Sequence, residues 1–223
     1  MRVFSYFSIF ALCISSVIQA SGAGLDWDDS ELGTKEQISA SIDQLKKKPA
    51  NSQDNQNLVM SFAQGVLSYH QGAFDKATLQ FQDSLHVGKF VLDEYAHYFL
   101  GLSLERQNKF TEAYKEFETV ANNKQGGPRA ISAKYRLGEI ALTQKNYRLA
   151  ELHFKGLERK TRNTDKYPFI LWNMAKINIQ QKNIFQACKY VRKLYTRYPG
   201  HPLVASWQLD LRTAEIDGLK PGC

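Results

Sequence analysis

Acyl, glycosyl or phosphoryl transfer needs a nucleophile, a base and an anion-stabilising group brought together, and this 223-residue chain spaces few residues that way. Its five histidines are scattered, and no G-x-S-x-G, H-E-x-x-H or glycine-rich phosphate loop occurs. His97 and His153 fall in segments of helical period, where a surface or hydrogen-bonded core histidine is the simpler reading. The three cysteines lack C-x-x-C spacing, so no metal site, cofactor or catalytic residue is expected. Recognition chemistry is better represented. Lys189, Arg192, Lys193 and Arg197 recur at i, i+3, i+4 and i+8, one stripe of a helix, with Arg159, Lys160 and Arg162 in a loop earlier. Such a basic patch suits an anionic partner; the alternative is an ordinary solvated face.

The amino terminus bears on compartment. Arg2 precedes an apolar run from Val3 to Ile18, and small residues follow at Ala20 and Ala23. That is the build of a secretory signal peptide over 1–23, which makes the protein exported and periplasmic; an uncleaved membrane anchor is the alternative. Bulky Leu12 before Cys13 argues against lipidation. Cleavage leaves Cys188 and Cys223, which an oxidising compartment allows to form a disulfide, the other reading being a buried Cys188 and a free Cys223. Charge is uneven along the rest. Residues 24–125 hold 10 basic and 15 acidic residues, net −5, whereas 126–200 hold 16 basic and 4 acidic, net +12. An exported basic half fits acidic protein, phospholipid headgroups or anionic glycan, and no nucleic acid is expected.

The elements that carry these residues come from a repeated phrase. "QGAFDKATLQF" (71–81), "QNKFTEAYKEF" (107–117), "QKNYRLAELHF" (144–154) and "QKNIFQACKYV" (181–191) follow one another at steps of 36, 37 and 37 residues. Upstream of each, an aromatic residue is followed three places on by Gly65, Gly101, Gly138 or Ala175, with apolar residues continuing at helical spacing. Within the phrases Ala77, Ala113, Ala150 and Ala187 precede Phe81, Phe117, Phe154 and Val191 by four. The pattern predicts helix pairs in which small residues of the two helices face each other. The bulky residue one turn later reaches into the neighbouring pair. A single pair cannot bury its apolar face, so the fold class is all-α, an α-solenoid of about four helix-turn-helix repeats.

These residues resemble the tetratricopeptide (TPR) repeat over roughly 58–200, with Gly65/Phe74/Ala77/Phe81, Gly101/Phe110/Ala113/Phe117, Gly138/Tyr147/Ala150/Phe154 and Ala175/Ile184/Ala187/Val191 at its small, aromatic, Ala and bulky positions. Pro199 matches the last place of the fourth unit, while the first three lack it. The slightly long units are similar to those of exported bacterial envelope TPR proteins and of the superhelical region of soluble lytic transglycosylases. Expected domains are repeats at 58–93, 94–130, 131–167 and 168–201. A short helix and polar linker (24–57) precede them, "KKKPANSQDNQN" being the linker. A capping helix and tail (202–223) follow.

The resemblance implies a concave groove lined by the first helices. Its partner-binding positions carry over to Phe62, Tyr98, Tyr135 and Trp172, with Tyr95 and Phe169, Glu139 and Lys176, and Tyr69 and Glu105. A run of rings would suit a protein or peptide partner; alternatively, the rings pack between adjacent helices. The aromatics stand where the carboxylate-clamp type of TPR has Lys and Asn, which argues against that mode. The expected function is a non-catalytic exported scaffold for protein–protein interaction through this groove, with the basic half reserved for an anionic contact. The alternatives are a module touching peptidoglycan directly and a non-catalytic subunit of an envelope enzyme. The transglycosylase Glu-Ser pair is absent here.

Overall fold

Helix pairs follow from the repeated phrase. The computed structural model describes residues 53–86, 92–123 and 129–201. The expected leader (1–23), the short helix expected after it, residues 124–128, the expected capping helix (202–223) and Cys223 lie outside the described residues. The fold there is all-α: α1 (Gln53–His70), α2 (Phe74–Leu85), α3 (Asp93–Arg106), α4 (Phe110–Ala121), α5 (Ala130–Thr143), α6 (Tyr147–Thr161), α7 (Tyr167–Gln180) and α8 (Ile184–Arg197). Two compact units divide near Ala133. In the first, α1 packs on α2, α2 on α3 and α3 on α4; in the second, α6 packs on α7 and α7 on α8. This sequential packing of neighbours is that of a helical solenoid of repeats.

The small residue on each first helix has a physical role, but not quite the expected one. A Cβ added at Gly65 would lie 2.7 Å from the Phe81 ring, at Gly101 2.8 Å from Phe117, and at Gly138 2.7 Å from Phe154. The bulky residue of each phrase therefore seats on the glycine of its own pair, rather than small facing small. Phe81, Phe117 and Phe154 are wholly buried there, and burying each ring stabilises by about 2–3 kcal/mol. Phe81 also stacks on Phe99 of the following pair, centroids 5.9 Å apart. The fourth pair has Ala175 and Val191 at the equivalent places, both buried. A methyl group is added on one side and a ring removed on the other, as close packing requires.

Turns between partners share one construction. Gly72, Asn108, Lys145 and Lys182 adopt left-handed backbone, with φ of 75°, 60°, 59° and 59°. The next amide then reaches back to the helix end: Ala73 to Ser68 O (2.9 Å), Lys109 to Leu104 O (2.9 Å), Asn146 to Ala141 O (2.8 Å) and Asn183 to Asn178 O (2.8 Å). This closure satisfies carbonyls that a helix end leaves open. Asn146 and Asn183 then cap the second helix, accepting from Leu149 N (3.2 Å) and Gln186 N (3.3 Å). Gln107, first residue of its phrase, donates to Thr78 Oγ1 (2.7 Å) and Phe74 O (3.0 Å), tying its turn to the preceding second helix.

One expected boundary shifts. The polar stretch read as linker to residue 57 is helical from Gln53. Once the packed segment beyond Leu58 nucleates a helix, adding residues to its end costs little, and Gln is a good helix former.

Candidate functional site

α3 lies between α2 and α4, and α7 between α6 and α8, and this decides the fate of the expected groove. In α3 every residue from Tyr98 to Leu104 is buried, and α7 is buried over most of its circumference. A helix covered on nearly all sides is an interior element. Phe62 (1 % exposed), Tyr98 (0 %), Tyr135 (4 %) and Trp172 (5 %) consequently belong to the core, which corrects the reading of these four as an open aromatic groove. Three meet the phenylalanine of their own pair edge-on or tilted: Phe62–Phe81 at 5.8 Å, Tyr98–Phe117 at 5.5 Å and Tyr135–Phe154 at 5.6 Å. Tyr69 is buried too, against Phe74 (5.5 Å) and Phe99 (6.0 Å). α2 packs on α3 and α6 on α7, so the rings of Tyr98 and Trp172 are closed over from that side.

The remaining groove residues are half-buried and separate by unit. In the first unit Tyr95 and Glu105 lie on α3. The Arg129 guanidinium sits 5.1 Å from the Tyr95 ring centre and 5.4 Å from that of Tyr98. The Arg129 backbone N–H donates to Glu94 Oε1 at 2.7 Å, and Asn123 Nδ2 to Glu94 Oε2 at 3.2 Å. Arg129 is itself buried, and its contribution was not read from the sequence. Nothing in the spacing aimed the side chain at the rings.

In the second unit Glu139, Phe169 and Lys176 are half-buried. Arg136 Nη1 donates to Glu139 at 3.0 Å, and Lys176 Nζ stands 5.9 Å from the Trp172 ring. Phe169 meets the His201 ring edge-on at 5.7 Å. Asn173 Nδ2 donates to the buried Tyr135 hydroxyl at 3.0 Å. Burial first, and then the Glu139 carboxylate, hold that phenol well above its usual pKa, so it stays protonated. This network positions α5 against α7 and carries no nucleophile.

The basic residues fare differently. Arg159 and Lys160 are in the last turns of α6 rather than in a loop, and Arg162 follows as its cap. All three are exposed, as are Lys189, Arg192 and Arg197. Lys193 is the exception: its Nζ donates to Glu158 Oε1 at 3.0 Å and lies 5.3 Å from the Tyr167 ring. It joins α8 to α6 and leaves the free-standing stripe. Lys189 folds over the Phe185 ring at 4.5 Å.

His97 Nδ1 donates to Glu116 Oε2 at 2.7 Å across α3 and α4, and that hydrogen bond raises its pKa. Cys188 is disulfide-bonded, and the chain's other two cysteines, Cys13 and Cys223, lie outside the described residues. Among the described residues, no helix is long and apolar enough to cross a membrane. No family model matches the chain, and no curated protein matches it.

Proposed function

We propose that the protein is a non-catalytic, exported scaffold of the TPR type that holds another protein and offers its basic second half to an anionic partner. The observation that carries this reading is that the residues repeated from pair to pair are consumed in packing. What differs between pairs is therefore the surface, the arrangement of a frame that presents partner-specific side chains. The disulfide at Cys188 supports an oxidising compartment, in line with the leader. On the first helices, half-buried Tyr95 and Glu105 in one unit, and Glu139, Phe169 and Lys176 in the other, are the side chains available to a protein partner.

Affinity capture from envelope extract tests the scaffold. The full chain is compared with a Glu105→Lys, Lys176→Glu variant of equal helicity by circular dichroism. A protein retained by the first and lost by the second supports recognition on the first helices. Equal retention by both overturns that assignment.

A further inference from the structure

The outward face of α6 and α8 is chemically unlike the same face of the earlier repeats. Its register positions on α6 hold Arg148, Leu152, Lys155 and Arg159, and on α8 Phe185, Lys189 and Arg192. The equivalent exposed positions are Thr111, Lys115 and Glu118 on α4, and Asp75, Leu79 and Gln82 on α2. The helix pair needs no cations there, because α2 has none and α4 has only Lys115, beside Glu118.

Carboxylates neutralise little of this face, Glu151 pairing with Lys155 alone among its cations. Between 134 and 201 the chain has four: Glu139, Glu151, Glu158 and Asp165. Three are already engaged, Glu139 with Arg136 (3.0 Å), Glu151 with Lys155 (2.6 Å) and Glu158 with Lys193 (3.0 Å). The last contact also joins α6 to α8 directly. Among these exposed cations stand two of the largest exposed apolar side chains, Leu152 (67 %) and Phe185 (71 %), with Ile184 at 39 % beside them.

We infer that the outer face of α6 and α8 docks on an anionic phospholipid surface. This deepens the anionic-partner part of the proposed function and does not depend on the first-helix face. Diffuse positive charge supplies attraction to headgroups, each cation contributing separately. A ring and a leucine standing out among cations supply shallow insertion at the acyl boundary, while the Lys and Arg stems reach back to the phosphates. A purely ionic contact with a soluble polyanion has no use for Leu152 and Phe185 in water.

The test is co-sedimentation of the full chain with vesicles of equal parts phosphatidylglycerol and phosphatidylcholine, against vesicles of phosphatidylcholine alone. The quantity read is binding to the anionic vesicles, with the phosphatidylcholine vesicles giving the charge-independent background. The expected result is binding that favours the anionic vesicles and is lost at high salt. Leu152→Ser with Phe185→Ser should weaken it roughly tenfold, and Arg159→Gln with Arg192→Gln by a similar factor or more. No preference for anionic vesicles overturns the inference, as does unchanged binding to the anionic vesicles in the Leu152→Ser, Phe185→Ser variant with intact helicity. If poly-glutamate binds the chain while the vesicles do not, the anionic contact survives and the bilayer assignment falls.

Discussion

At Gly138 a methyl group would arrive 2.7 Å from Phe154 Cζ, with the ring already wholly buried and unable to swing aside. Gly138→Ala is therefore expected to destabilise the second unit by about 1–3 kcal/mol, despite alanine's better helix propensity. Adding Phe154→Val should recover part of that loss, because the fourth pair already combines Ala175 with Val191. Urea melts of the single and double variants check both steps; a double variant no better than the single would remove the pairing argument. Lys182 gives the opposite expectation. Its φ of 59° is costly for a residue with a Cβ, so Lys182→Gly should stabilise by about 1 kcal/mol, read the same way. The recurrence of small and bulky residues was plain in the sequence. Which small residue met which bulky one was not, since spacing fixes the face of a helix and leaves its partner open.

Between helices, the exchangeable contact is that of His97 on α3 with Glu116 on α4. The hydrogen bond to Glu116 raises the imidazole pKa, burial opposes it, and Asp93 adds a smaller push upward. A raised folded-state pKa means the stabilising contribution is present below the unfolded value and is lost as pH rises through the folded one. The thermal midpoint should fall on going from about pH 5.5 to about pH 8.5, by an amount worth up to about 1 kcal/mol. Glu116→Gln should flatten that slope, and an unchanged slope would place the titration elsewhere. The same scale explains why Phe62, Tyr98, Tyr135 and Trp172 were misread. An aromatic at a groove position and an aromatic between helices look alike in one chain. Burial of α7 over most of its circumference becomes visible only once α6 and α8 are both packed on it.

For the molecule as a whole, the contrast of charge between the halves was legible from composition, and the exposed basic residues of α6 and α8 are where it surfaces. Lys193 could not be separated from its neighbours by spacing, because its partner Glu158 is 35 residues away. The cross-link at Cys188 is a whole-molecule constraint. Peptide mapping without reductant should find it joined to Cys223, the pairing expected from the sequence, and reductant should lower stability by about 2–4 kcal/mol. A free thiol at Cys188 in protein purified from whole cells without reductant would count against export.

Each glycine carrying its phenylalanine within the same pair has a consequence for cooperativity. Loosening Phe117 from Gly101 leaves the seats of Phe81 and Phe154 geometrically intact, so the pairs can open at different free energies rather than all at once. The three rings are equivalent by register yet differ in their neighbours. A fluorine label on each would therefore report a separate melting event, and the spread of those midpoints would measure how strongly one repeat feels the next.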